Sequence, residues 1–432
     1  MRTADVVIGA NWGDEGKGLL TDYLAAPYGK DALVVRFCGG AQAGHTVTAP
    51  DGRRHVFNHF GSGSFCGSST YLSRFFICNP IMFLAEARRL EKIGLKPKVF
   101  VDPSAPVTTP YDMMINQMIE ESRGASRHGS CGLGIGETVE RQQHVRYALR
   151  IADLYDVSVL EAKLKLIREE WVPERLQKLG IASIPPAWKE HIASSGVVLA
   201  FMRDVSAFLG QVRPSTLSVV ASARHVIFEG AQGLLLDQNH KWFPHVTRSN
   251  TGIRNASSLA KEAGIRVVNA YYASRCYATR HGAGPMPHEL AEKPYEKIVD
   301  LTNVPNPHQG TLRFGWLDLD LLRKSIRHDL SHAVGVVAVV PSLAMTCLDQ
   351  IDDEAHFIAG GLKKRGAVDH FLAEATTVVS STKILTSYGP TRETIRTFLH
   401  AAPDRSEKRS NVSETFAYAP LALSSCASDC VG

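Results

Sequence analysis

Ten residues, Gly9-Ala10-Asn11-Trp12-Gly13-Asp14-Glu15-Gly16-Lys17-Gly18, constrain this chain more than any other segment. They follow the apolar run Val6-Val7-Ile8 and precede an apolar-periodic stretch from Leu19-Leu20 to Tyr23-Leu24. Strand, glycine-rich turn and helix is the P-loop-like layout, in which backbone N–H groups and a helix N-terminus face an anion and a lysine adds a point charge. The usual phosphate loop reads G-x-x-x-x-G-K-[ST]. Here Asn11 falls where its first glycine belongs, and Gly18 where the hydroxyl belongs. In exchange the loop carries Asp14. A carboxylate there repels phosphate unless it binds a metal or takes a proton from a substrate.

Short β-branched runs alternate with longer helical patterns, which predicts an α/β protein with a mostly parallel central sheet flanked by helices. Val6–Ile8, Leu33–Phe37, Val226–Phe228, Val267–Tyr272 and Val334–Val340 read as buried strands, the last closed by Pro341. Asn79 and Pro80 open a helix with Phe83, Ala87 and Leu90 on one face and Gly94 as its stop. A second helix runs near Val159 to Trp171. Residues 1–402 are read as one α/β domain with loop insertions and a helical insertion over 173–214 that carries no site signal. From 403 to 432 the composition turns polar and then Ser/Ala/Cys-rich, as in a flexible tail.

At 432 residues, 44% hydrophobic and 21% charged, the chain has the composition of a globular protein. A net charge of +5 is too small to imply nucleic-acid binding, and the most apolar run is too short to span a membrane. Eight scattered cysteines contain no C-x-x-C pair, which speaks against a zinc knuckle or a redox motif. Without a secretory leader pattern, free thiols in the cytoplasm are expected.

Five further stretches combine glycine, polar residues and charge. In Arg36–Thr46 the glycines allow close backbone approach, and His45 is suited to general acid work. Arg127–Thr138 is a second anion nest at a helix start. Glu229–Asp237, with Val246–Thr251 beyond it, follows a strand, so it lies where open α/β sheets bind ligands. Its Gln232 can read a base edge through paired hydrogen bonds. Thr279–Glu289 and Gln309–Asp318 complete the set, and Arg313 in the latter can grip a carboxylate.

Together these stretches closely resemble the adenylosuccinate synthetase family from residue 5 to about 395. The resemblance is carried by W-G-D-E-G-K-G at 12–18, G-G-x-x-A-G-H-T at 39–46, E-G-A-Q-G-x-L-L-D at 229–237 and T-R-x-G-x-G-P-x-P-x-E at 279–289. Gly315-Trp316-Leu317-Asp318, Thr346–Asp349 and Ser387–Pro390 extend it. It implies a carbon–nitrogen ligase of purine biosynthesis. GTP phosphorylates the 6-oxygen of inosine monophosphate (IMP), and L-aspartate then displaces that phosphate.

By the same resemblance Asp14 is the base and a Mg²⁺ ligand, and Gly44 completes the metal shell through its carbonyl. His45 protonates the transferring phosphoryl oxygen and Lys17 neutralises phosphate charge. Gly13, Glu15, Gly16, Gly18, Gln42, Thr46, Ser130, Cys131, Gln232 and Thr247 fall on nucleotide and phosphate positions. Asp349, Ser387 and Gly389 fall on the guanine of GTP, while Arg313 and Thr311 fall on the aspartate loop. A homodimer is implied, with an arginine crossing between subunits; Arg141 and Arg146 are both candidates.

The departures lie in the elements that read substrate. Cys347 replaces a lysine beside the guanine, and Thr311 stands where the aspartate loop has its first arginine, a charge-assisted contact worth roughly 1.5–3 kcal/mol. Cys131 replaces a phosphate-binding threonine, with Ser130 adjacent, and Gln42 replaces an asparagine. These changes keep two alternatives open. One is the same mechanism on a variant purine such as dGMP or a modified purine, with ATP as donor. The other is a non-catalytic nucleotide-binding regulator, which would not need both Asp14 and His45.

Overall fold

The computed structural model describes residues 2–124, 129–181, 183–300 and 311–400. Val6, Val7 and Ile8 lie in a strand that is buried on both faces, which is what an uninterrupted apolar run requires. That strand, β1 (Thr3–Gly9), sits near the middle of a ten-stranded sheet. The others are β2 (Ala32–Arg36), β3 (Ser69–Leu72), β4 (Val99–Val101), β5 (Val212–Pro214) and β6 (His225–Gly233). They are followed by β7 (Val267–Arg275), β8 (Ala338–Thr346), β9 (Lys383–Ser387) and β10 (Ile395–Leu399). Their order is β10-β9-β8-β7-β1-β6-β2-β3-β4-β5, and all pair in parallel except β9 with the edge strand β10.

Alternate residues of β1 serve opposite layers. Val7 packs with Leu19, Leu20 and Leu24 of the helix Lys17–Ala25. Val6 and Ile8 pack with Ile253, Ala256 and Leu259 of the helix Ile253–Glu262. Burying each such side chain contributes about 1.5–3 kcal/mol, so the ten-residue loop is clamped from both ends. A second core under β3 and β4 gathers Phe83 and Leu90 with Leu160, Leu164, Ile167 and Trp171.

The helix Pro80–Lys92 is capped as expected: the Asn79 side chain accepts from the Met82 N–H at 3.2 Å, and Gly94 follows with φ +77°. The helix Val157–Leu166 passes through a π-turn at Ile167–Trp171 into Val172–Lys178. The 173–214 stretch continues with the helices Pro186–Ala193 and Ser195–Leu209, then enters the sheet as its edge strand β5.

One strand differs from expectation. Val334–Val340 is not a buried strand closed by Pro341, since Val334 is 79% exposed and β8 starts only at Ala338 and runs through the proline. At Pro341 the strand pairs with Ala270 of β7, but β9 reaches it only at Ala344 and Met345. The first half of β8 therefore has one open side, where a missing N–H breaks no ladder bond. Among the described residues no single helix is long and apolar enough to cross a membrane. The tail expected over 403–432 lies outside the described residues.

Candidate active site

A cleft of about 920 Å³ opens at the carboxyl ends of adjacent strands. From one side to the other, its wall takes Ser387 from β9, Cys347 after β8, Arg275 from β7, the 13–18 loop after β1, Gln232 from β6, and Gln42 and His45 beyond β2. Every expected site residue lines it except Thr311 and Arg313.

The first loop is built more tightly than its sequence suggests. Gly13, Asp14 and Gly16 all have left-handed backbone, at φ +100°, +60° and +85°. The acid that occupies the anion nest is Glu15 rather than Asp14. Its carboxylate accepts from the N–H of Asn11 at 2.6 Å and of Gly13 at 3.0 Å, and pairs with Lys17 at 3.3 Å. Burial pushes the Glu15 carboxyl up, against the pull of Lys17 and the two N–H groups. Gly18 replaces the usual hydroxyl for a steric reason, because a Cβ there would stand 2.8 Å from the Thr46 carbonyl. The helix start is thereby pressed against the hairpin His45–Thr48 and Arg54–Phe57.

Asp14 turns instead to the cleft, where its Oδ2 meets His281 Nε2 at 3.1 Å. Burial raises this carboxyl, but the His281 contact and the charges of Arg275 and Lys17 outweigh it and hold it below the ordinary range. It is therefore ionised at neutral pH.

His45 stands on a buried scaffold. Its Nδ1 lies 2.7 Å from Glu229 Oε1, and Glu229 also accepts from the Ser62 N–H at 3.1 Å, the Ser62 hydroxyl and Arg36 at 3.3 Å. Despite burial, Arg36 and His45 hold the Glu229 carboxyl at about 2. It can only accept, so His45 donates from Nδ1 and keeps a lone pair on Nε2. Burial, with help from Arg36 and Lys17, lowers the His45 imidazole to about 4. Nε2 is buried and has no partner among the described residues, and the same holds for both amide atoms of Gln42. Orphaned polar atoms in a cleft wall mark where a ligand belongs.

The departures from the motif pattern also have locations. Ser130 is held by the Asn116 amide at 2.8 Å beside Cys131, whose thiol is pushed up by burial. Cys347 has φ +63°, where burial pushes its thiol up and the largely buried guanidinium of Arg275 lies close enough to pull against that push. Arg275 thus brings a cation to the wall where the lysine is missing. Arg141 is locked in the interior by Asp112, with two contacts of 2.8 Å, and by the carbonyls of Val107 and Tyr147. It is not available to reach another subunit, whereas Arg146 is exposed. Arg313 donates to Glu289 and to the carbonyls of Gly282 and Gly284, and Thr311 is exposed outside the cleft wall. Most of the 304–313 loop lies outside the described residues.

Several wall residues had no assigned role from sequence. Arg275 ends β7, Arg248 comes from the loop beyond β6, and Arg175 comes from the helical insertion. Arg175 pairs with Glu137 at 2.7 Å, and Arg248 with Glu140 at 3.0 Å. His281 sat inside a quoted motif, but nothing in its spacing pointed to Asp14.

Residues 6–395 match the family model for adenylosuccinate synthetase. This chain belongs to the adenylosuccinate synthetase family. The adenylosuccinate synthetase of Mesoplasma florum is 32% identical over 330 residues, covering 74% of this chain and 73% of the relative. That of Buchnera aphidicola subsp. Schizaphis graminum is 30% identical over 366 residues, covering 82% and 79%. In fold, the chain is similar to the fully ligated adenylosuccinate synthetase of Plasmodium falciparum, with a TM-score of 0.68 at 16% identity over 91% of this chain and 99% of that one. It is also similar to the succinoaminodeoxyadenylate synthetase of cyanophage S-2L bound to dGMP and dATP, with a TM-score of 0.57 at 15% identity over 92% and 95%. The chain is a purine nucleotide carbon–nitrogen ligase of the adenylosuccinate synthetase type, joining IMP to aspartate with a purine nucleoside triphosphate.

Proposed function

We propose that the 13–18 loop and the 42–46 hairpin carry out both half-reactions, with GTP as donor. A purine carbonyl is a poor leaving group until it is phosphorylated, and its ring N–H must first lose a proton. Asp14, ionised and facing the cleft, takes that proton. His45, which burial holds neutral, takes up a proton as negative phosphoryl charge arrives at Nε2, because a nearby anion favours the charged imidazole. Proton-transfer roles of this kind are each worth about 10²–10⁴-fold. Lys17 offsets phosphate charge.

The Asp14 carboxylate and the Gly44 carbonyl both line the cleft, and one carboxylate plus a carbonyl suits Mg²⁺, which takes its remaining ligands from phosphate and water. When bound, the ion would draw charge from the transferring phosphoryl group. Gly13, Glu15, Gly16, Gly18 and Thr46 border the phosphates. Gln42, Ser130, Cys131, Gln232 and Thr247 hold the monophosphate nucleotide, and Asp349, Ser387 and Gly389 read the donor base. Arg313 and Thr311 meet the amino acid, the former by exchanging Glu289 for the substrate carboxylate. The enzyme acts as a cytoplasmic homodimer.

The observation that carries this reading is the pairing, in one cleft, of an ionised Asp14 with a His45 whose Nε2 is buried and has no partner among the described residues. A nucleotide-binding regulator would have no use for that pair. The test mixes the protein with Mg²⁺, L-aspartate, each of IMP, dIMP, GMP and dGMP, and either GTP or ATP. Release of orthophosphate with the ultraviolet shift of a 6-substituted purine, greatest with IMP and GTP, is the expected result. Silence with every pair would overturn the ligase assignment, and a maximum with dGMP would move it to the variant substrate.

A further inference from the structure

We infer that His281 is a positioning residue for Asp14, fixing one carboxylate oxygen so that the other faces the purine. This rests on the proposed role of Asp14 as the base. Asp14 sits at the apex of its loop with left-handed backbone, and its carbonyl is held by the Arg275 guanidinium. Its carboxylate reaches outward, away from the nest that Glu15 fills. The contact from His281 Nε2 at 3.1 Å falls on Oδ2, which makes Oδ1 the oxygen this inference assigns to the purine.

The loop that follows the imidazole is held by two guanidinium groups. Arg280 donates to the carbonyls of Pro285, Ala283 and His245 at 2.6, 3.0 and 2.9 Å, and Arg313 donates to those of Gly282 and Gly284 at 3.0 and 2.9 Å. The backbone beside and beyond His281 is thus wrapped around two guanidinium groups. At Gly284, with φ +109°, a Cβ would stand 2.4 Å from the Arg280 guanidinium, so the wrap leaves no room for a side chain. By contrast, the His281 and Asp14 side chains are 24% and 29% exposed. A contact with that exposure adds little to stability. So rigid a mounting for so weak a stabilising contact points to orientation of the acid. Misplacing a catalytic group by about 1 Å can cost roughly 10²-fold in rate.

The test compares His281→Ala and His281→Gln with wild type in steady-state kinetics, alongside thermal melting of each. The glutamine amide N–H can reach the place of Nε2. His281→Ala is expected to lower kcat by about 10- to 100-fold, with KM for both nucleotides within about threefold and melting unchanged, and His281→Gln to recover most of the loss. An unchanged kcat in His281→Ala would overturn the inference. So would equal losses in both variants, or a loss falling on KM, which would put the ring on substrate. Failure here is separable from failure of the parent reading. Turnover that survives Asp14→Ala removes the base itself, whereas an inactive Asp14→Ala beside an untouched His281→Ala removes only the role of His281.

Discussion

The floor of the cleft and its rim are built on different principles. On the floor, His45 is 5% exposed, and Glu229 and Arg36 are wholly buried, each held by charged or hydrogen-bonding partners from distant parts of the chain. On the rim, Asp349 is exposed, and Cys131 and Cys347 are half-buried. A floor residue cannot change without stranding a buried charge. A rim residue can change with little loss of fold. The motif pattern largely follows this division: of its departures, Cys131 and Cys347 lie on the rim and Thr311 outside the cleft wall, while Gln42, whose amide atoms are buried, lies deeper.

The division can be broken or sharpened by substitution. The largest effect is expected from Glu229→Gln, which removes the charge that fixes the His45 tautomer and leaves Arg36 buried without its counter-ion. We expect kcat to fall by about 10²-fold and stability by about 3–5 kcal/mol, read by phosphate release and denaturant titration. A variant with near-normal kcat would show that the floor is not over-determined.

An intermediate effect is expected at Glu86, which supports the hairpin from below. Its carboxylate accepts from the N–H of Asn58 at 2.8 Å and of His59 at 2.7 Å, and it faces His55 and His59 at 3.6 Å. Burial would raise this carboxyl, but those partners hold it at about 2, against 4.5 when unfolded. The unfolded chain therefore binds the extra proton between those values, so the stabilisation is full above pH 4.5 and is lost as pH falls toward 2. The full contribution is about 3 kcal/mol. Melting followed from pH 6 to pH 2.5 should drop steeply in wild type and less steeply in Glu86→Gln. Parallel curves would contradict this assignment.

The smallest effect belongs to the rim. Cys347→Lys restores a cation beside the donor base, and at a half-exposed position it should improve kcat/KM for GTP over ATP by roughly threefold to tenfold. Melting should be unchanged. A large loss of activity would place Cys347 among the floor residues.

The sequence made the parallel sheet legible because its buried strands are continuous apolar runs, and it located the loops because strand ends carry glycine. It could not show which acid turns inward. Asp14 and Glu15 are neighbours, and a left-handed backbone at Asp14 reverses the side-chain directions that simple alternation suggests. Long-range partners were equally hidden. Arg141 is a candidate to cross between subunits by its motif alone, yet Asp112 holds it in the interior, and His281 falls on an unspecified position of its motif, yet meets Asp14. At Pro341 the error was to treat proline as a stop, when a strand with one open side accommodates it.

The central claim is that Asp14 is retained for proton abstraction. Its most direct test measures orthophosphate release with IMP, GTP, aspartate and Mg²⁺ for wild type and Asp14→Ala, with GTP binding measured on both. The account predicts a rate lower by about 10²–10⁴-fold with GTP affinity nearly unchanged. Turnover that survives the substitution would contradict it.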